Sequence, residues 1–542
     1  MTESTTRAKL IWLLVLLLVA GLYAAWTRSD GLGQLGRDGP RYMMMAEHYS
    51  IYRRPDPIYS EMAAFSHLPP LYPMALAWTG ASDNLFRAHL VTSLFLLLAL
   101  AAYSAWLRRL GASLEQSALL MLLFAVLPGT WLTALLIQSE CLYLLLSLLA
   151  LALMAAYRNS GQQQQLYGAA IAIGAACLSR TVGICLLPAL LLAARRAPPR
   201  TIAVALATAI LPALAWHFLH HSDMDYGSQL QSLYGGHGWQ TLLGQLMTEP
   251  PALRQGFEAN LQNIGSLGPL ADALGLLCLA SMLVRAARLE PDGAYLAAYL
   301  AILLLWPYPE EAKRFVWVAL PVFLAQPLLL IVSLRRAAPP QHFPAPAVAV
   351  LAGALLCLIL PPLTEGAGRY WSAPYSDIPN AAVMVSWYES DPLRSRKLVT
   401  MENAFVSAMQ LIPMEVAESD CVIATRPDLV GYYSHRHSKA PPLNSLPDPY
   451  FAAMARRSGC NYAYGMAFKD SIFPIPLHPL PRLEADTETV YVIAVTDEAT
   501  GVRDILAALA RFVPAGSRPA AGQPGNAPAG GSQPAPQQDR TN

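Results

Sequence analysis

Ala88-His-Leu-Val-Thr-Ser-Leu-Phe-Leu-Leu-Leu-Ala-Leu-Ala-Ala-Tyr-Ser-Ala-Trp-Leu107, followed at once by Arg108-Arg109, decides the fold. Those twenty residues contain no Asp, Glu, Lys or Arg, a length that crosses a hydrocarbon layer as one helix. The arginine pair at one end marks that end as cytoplasmic, because cations are retained on short cytoplasmic loops. Working outward, comparable apolar runs recur near 10–26, 116–135, 141–157, 166–179, 182–194, 201–219, 268–284, 293–308, 315–334 and 345–362, eleven spans in all. Residues 10–26 also have the form of a signal peptide, but no clean small-residue cleavage site follows, so retention is expected. The cations Arg7, Lys9, Arg158, Arg195, Arg196, Arg200, Arg285, Arg288, Arg335 and Arg336 fall on the same alternate loops as Arg108. The opposite loops, 27–87 and 220–267, and everything after residue 363 are therefore external.

Composition agrees. The 542 residues are 54% hydrophobic and 13% charged, with a mean hydropathy of +0.35, too little charge to coat so much apolar mass in water. A net charge of +1 argues neither for a nucleic-acid partner nor for a strongly acidic one, and no nucleic acid is expected. The predicted architecture is an all-α polytopic domain over 1–362, with external interfacial helices such as 238–246. A small α/β domain over 363–513 follows, then a Pro/Gly/Ala-rich tail over 514–542 that cannot bury a core. Within 363–513, segments 421–425, 490–496 and 460–464 read as strands, and 402–410 and 501–512 as helices. Cys141, Cys177, Cys185, Cys278 and Cys357 read as small packing residues. Cys421 and Cys460 read as separate buried thiols, with pairing open to them only in an oxidising compartment.

Chemistry concentrates in the external loops. Asp38-Gly39-Pro40-Arg41-Tyr42 follows the first span, and Ser66-His67-Leu68-Pro69-Pro70-Leu71-Tyr72-Pro73 precedes the second. Pro40 suits a first helical turn, so Asp38 is placed as the N-cap of a helix to about Tyr49, sharing a face with Arg41 and Tyr42. The same carboxylate is a candidate general base oriented by Arg41. Glu140 opens the fourth span on the same side of the membrane, where a carboxylate is also favourable for the helix dipole. Arg180 lies in a short external turn between apolar spans, where a cation demands a partner. Lys313 and Arg314 stand in the external turn Pro309-Glu310-Glu311-Ala312-Lys313-Arg314, where the glutamates alone would neutralise them. Otherwise these cations hold an anionic headgroup, arginine fitting phosphate through its planar fork. His67 can line the pocket or carry a proton. His220, His221 and His237 with Asp223 and Asp225 match no metal-ligand spacing, so no metal or other cofactor is assigned, a divalent ion being weakly supported.

In order, these motifs resemble the multispanning GT-C glycosyltransferases, nearest the protein O-mannosyltransferase and lipid A aminoarabinose transferase group. The resemblance rests on Asp38, Arg41 and Tyr42, on Pro69-Pro70-Leu71, and on Glu140 where Asp is usual. It continues in Ser179-Arg180-Thr181 for a Thr-Lys-Gly-like turn, and in Arg314-Phe315 with Pro321. Two departures are Gly39 in place of a second acid and His67-Leu68 in place of a Glu-Lys pair. The resemblance implies a plasma-membrane enzyme moving a sugar from a polyprenyl-phosphate carrier to an external glycan, lipid or protein acceptor, with inversion. Asp38 and Glu140 would be its catalytic acids, and Arg41, Tyr42, His67, Tyr72, Arg180, Lys313 and Arg314 its substrate-binding residues. A polysaccharide polymerase or ligase, and a lipid or solute transporter, are the alternatives.

Overall fold

The structure is a computed structural model. It describes residues 2–26, 38–64, 66–220, 238–261, 268–306, 311–337, 409–414, 416–424 and 426–439, the residues 353, 360, 364 and 460, and the strands given below. The chain divides into two compact units, Met1–Ser419 with Arg426–Ser438, and Asp420–Thr425 with Lys439–Asn542.

The first unit is helical. Its elements are α1 (Thr2–Trp26), the short helices α2 (Gly39–His48), α3 (Pro57–Ala64) and α4 (Leu71–Trp78), then α5 (Leu85–Arg109), α6 (Leu114–Ala125) and α7 (Pro128–Ala134). After these come α8 (Glu140–Ser160), α9 (Gln163–Ser179), a 3₁₀ turn (Thr181–Leu186), α10 (Leu187–Ala194) and α11 (Pro199–Leu219). The unit continues with α12 (Gly238–Leu261), α13 (Gly268–Ala287), α14 (Pro291–Leu304), α15 (Ala312–Ala337) and α16 (Pro427–Ser434). Local signals start and stop the helices where the chain places them. The Asn84 side chain accepts the Arg87 amide at 2.9 Å to open α5, and Arg108 and Arg109 close it against the dipole. Ser113 and Gln116 form a reciprocal capping box for α6, and Gly161 ends α8 at φ +72°.

Among the described residues five helices, α5, α8, α11, α13 and α15, are long and apolar enough to cross a membrane, and six such spans result if α6 and α7 count as one. This suits an integral membrane protein, and the remaining runs read from hydropathy correspond to bent or shorter apolar helices or lie outside the described residues. The run 116–135 is not one straight helix: it bends by 66° between Ala125 and Pro128. Pro128 lacks an amide hydrogen and drives Leu127 to an extended ψ of 138°, which breaks the ladder there. The runs 182–194 and 293–308 form shorter apolar helices, and 166–179 lies in a 17-residue helix. The run 345–362 lies almost wholly outside the described residues. The interfacial helix expected at 238–246 is the first part of a longer one, α12, which continues through Pro250 and Pro251.

α15 is the centre of the bundle, with 83% of its most apolar window buried, whereas α11 has 11% and presents Val204, Leu211, Leu214 and Phe218 outward. On α5 the exposed residues Phe86, Leu90, Leu94 and Leu98 recur every four positions, a single lipid-facing stripe. Polar ties fasten neighbours to α15. The Tyr103 hydroxyl donates to the Pro321 carbonyl at 2.8 Å, and the Trp317 indole to Thr130 Oγ1 at 3.0 Å. At the other end, Arg285 holds Asp292 with two bonds of 2.7 and 2.8 Å, and Gln326 donates to the same carboxylate at 3.0 Å. All three residues are buried, so the pair is kept by mutual neutralisation in an apolar setting.

α16 packs with the short helices α2 and α3 of this unit. The Tyr59 hydroxyl donates to the Tyr432 carbonyl at 2.6 Å, and His435 Nδ1 lies 2.8 Å from Asp56 Oδ2.

The second unit contains β1 (Cys421–Ala424), β2 (Tyr462–Phe468), β3 (Ser471–Ile472), β4 (His478–Pro479) and β5 (Thr489–Ala494). β1 pairs in parallel with β2, from Val422 opposite Tyr462, while β5 and β3 are antiparallel to β2 and β4 is antiparallel to β5. The three strand segments expected from the sequence are present. The helices expected at 402–410 and 501–512 lie largely outside the described residues. The separate-thiol reading of Cys421 and Cys460 does not hold: they form a disulfide with Cα atoms 4.3 Å apart. The parallel pairing of β1 and β2 brings the first residues of the two segments together, a juxtaposition that a 39-residue separation hides in sequence.

Candidate active site

Four segments remote in sequence meet at one end of the bundle. Asp38 precedes α2, Glu140 is the first residue of α8, Arg180 joins α9 to the 3₁₀ turn, and Arg314 lies in the first turn of α15. Arg314 Nη2 is 2.5 Å from Asp38 Oδ2, and its Nε donates to Glu140 Oε1. Arg180 Nη1 approaches that same Glu140 oxygen at 2.5 Å. Glu140 is wholly buried, and its second oxygen, Oε2, has no hydrogen-bond partner. Two acids and two arginines thus form one alternating cluster. Both guanidinium groups also lie against the Phe315 ring, at 5.2 Å for Arg180 and 5.9 Å for Arg314.

The expected capping role of Asp38 is not realised. It occupies the N-cap position with helical dihedrals and makes no side-chain capping bond, because its carboxylate is turned to Arg314 instead. Nor is Arg41 its orienting partner: Arg41 acts on it only through its charge. Burial alone would raise the Asp38 pKa, but Arg314 beside it, with Arg180 and Arg41, outweighs that effect and holds the carboxyl below its ordinary value. His67, on the loop ahead of α4, is pushed down to about 4 by burial and by the positive charge of Arg41, Asp38 pulling the other way. It is neutral near pH 7.

Tyr42 and Tyr72 are buried behind the cluster. The Tyr42 hydroxyl shares a 2.8 Å bond with Ser139 Oγ, and the Tyr72 ring meets Tyr42 edge-on at 4.9 Å. The Tyr72 hydroxyl is engaged with Thr92 Oγ1 at 2.6 Å. Lys313 is half-buried beside Arg314, and its carbonyl accepts from Asn260 Nδ2 at 2.8 Å. His220 Nε2 meets the Ser66 carbonyl at 2.7 Å, tying the end of α11 to the Pro-Pro turn. The rest of the histidine and aspartate group, from 221 to 237, lies outside the described residues.

Two contributors were not singled out from sequence. Ser139 looks like an ordinary N-cap for α8, yet it makes no capping bond. Its hydroxyl takes Tyr42 and, at 3.4 Å, Arg180 Nη1. Gly256 on α12 lies so close to α15 that a Cβ there would stand 2.9 Å from both the Ala312 carbonyl carbon and the Lys313 amide. Backbone cannot yield as a side chain can, so Gly256→Ala is expected to displace the start of α15 and Arg314 with it. Misplacing a binding group by about 1 Å costs roughly 10²-fold in rate. A steady-state assay of the reaction proposed below, with near-normal expression and secondary structure as control, checks this.

No protein-family model and no curated protein sequence matches the chain. Among solved structures the fold is similar to that of a membrane protein, ArnT. ArnT from Cupriavidus metallidurans in its apo state is similar with a TM-score of 0.50 and 14% identity, over 92% of this chain and 99% of that one. The same protein bound to undecaprenyl phosphate gives 0.50 and 13%, with the same coverage. The Archaeoglobus fulgidus oligosaccharyltransferase tethered to an acceptor peptide gives 0.45 and 13%, over 85% of this chain and 69% of that one. At these identities the first two establish a shared fold.

Proposed function

We propose that this protein transfers a sugar from a polyprenyl-phosphate carrier to an acceptor outside the cytoplasm, with inversion. The carrying observation is the convergence of Asp38, Glu140, Arg180 and Arg314 into one ion cluster at a helix-bundle end. A donor with a polyprenyl tail stays in the bilayer, so the cluster belongs where the external loops meet the membrane. Asp38 accepts the proton of the acceptor hydroxyl as that oxygen attacks the anomeric carbon. The carbon–oxygen bond to phosphate breaks with its electron pair on the phosphate, whose charge Arg180 and Arg314 stabilise. Arg41, Lys313 and His67 bind substrate beside the cluster, while Tyr42, with Tyr72 packed against it, braces Arg180 through Ser139. Residues 1–362 constitute the transferase domain, 363–513 an external domain and 514–542 a tail. The Cys421–Cys460 disulfide supports the external assignment, since such bonds persist in oxidising compartments.

The test is transfer by purified protein in liposomes from a panel of polyprenyl-phosphate sugars. Lipid movement across the bilayer with no glycosylated product would replace the enzyme with a transporter. The pH dependence has a definite sign. Because the Asp38 pKa is depressed in the free protein, its ion pair persists above the ordinary carboxylate value of 3.8 and is lost as pH falls through the depressed one. His67 gains charge only near 4. The donor kcat/KM is therefore expected to show no acid limb between about pH 8 and pH 5.

A further inference from the structure

The four charged groups of the cluster are not equally accessible. The Glu140 side chain has 0% of its surface exposed, Arg180 14%, Arg314 19% and Asp38 27%. Glu140 is fixed on the first turn of α8 and bridges both arginines through one oxygen, so removing it would leave two buried cations facing each other. Asp38 is held differently. It sits ahead of α2, makes no capping bond, and touches Arg314 through Nη2, with the more exposed side chain of the pair. A partly solvated contact of this kind exchanges at small cost.

Resting on the transferase reading above, we propose that the donor phosphate and the Asp38 carboxylate are alternative partners of Arg314, with Glu140 the permanent one, so that donor binding releases Asp38 to act as base. Charge accounting favours this arrangement. Without donor, the two acids balance the two arginines. A sugar phosphodiester adds one negative charge, and on reaction the departing phosphate gains a second while Asp38, taking the acceptor proton, loses its own. Total charge in the cluster is unchanged across the step. Arg314 keeps Glu140 and turns the Nη2 that held Asp38 to the group whose charge is growing. The donor is thus the obligatory first substrate, and the base is held out of play until a leaving group is present.

Undecaprenyl phosphate titrated into nanodisc-embedded wild type, Asp38→Asn and Glu140→Gln tests the exchange. Asp38→Asn is expected to bind about tenfold more tightly, and Glu140→Gln about tenfold more weakly, shifts of about 1.4 kcal/mol in opposite directions. Unchanged or weaker binding by Asp38→Asn overturns the proposal even if its turnover is lost. Tighter binding with turnover intact would keep the exchange and remove the base assignment, so the two readings fail separately. A second measurement needs no variant. Asp38 in the free protein faces Arg314, Arg180, Arg41, Glu140, Tyr42 and His67, and donor binding takes Arg314 from that set. The acid limb of kcat in wild type is then expected at higher pH than that of donor kcat/KM, and coincident limbs would overturn the exchange.

Discussion

Replacing Arg314 with leucine is expected to lower the transfer rate by about 10³-fold. Losing one preorganised donor to a developing oxyanion costs roughly 10²–10³-fold. Arg314 adds to that by being the one cation in direct contact with both acids. Without it Asp38 loses its restraint, and Glu140 retains Arg180 alone. Arg314→Lys separates charge from shape. An ammonium keeps the positive charge but cannot reach Asp38 and Glu140 along two edges of one plane, so a loss of roughly 10²-fold is expected with the fold retained. Single-turnover assays with saturating donor, alongside thermal unfolding in detergent, check both variants. Equal activity of the lysine variant and wild type would show that the planar fork is not used.

Asp38→Asn is the second substitution with a large expected effect, about 10²–10⁴-fold in kcat from loss of a general base. Asparagine has the same shape and cannot accept the proton. Because Asp38 makes no capping bond, α2 loses nothing in the exchange, and the melting temperature is expected to stay near that of wild type. Were Asp38 only a structural cap, the pattern would be reversed, with stability falling and turnover preserved. The two measurements together therefore decide between chemistry and structure at this position.

How far the site could be read in advance differs by residue. Glu140, Arg180 and Arg314 are candidates because each is a charge at the end of an apolar run, where its presence needs a reason, and Asp38 because it stands ahead of Pro40, Arg41 and Tyr42 on the first loop. Which of them touch was not readable. Arg41 stands three residues from Asp38 and looks like its partner, yet the contact belongs to Arg314, 276 residues away. A serine before a helix has the form of a cap, and only the position of Tyr42 and Arg180 shows where the Ser139 hydroxyl goes. Gly256 carries no sequence signal at all, since its role is the nearness of another helix's backbone.

Membrane residence, the loops that carry charge and the strands around 421, 462 and 490 were determined by the sequence alone. A lipid-spanning backbone must satisfy its hydrogen bonds within its own helix, so about 20 consecutive side chains suffice to identify a span. The bend at Pro128, the pairing of Cys421 with Cys460 and the sharing of Arg314 between two acids were decided by the tertiary structure. Each depends on how packed elements meet, and pairwise contact across hundreds of residues leaves no trace in local composition.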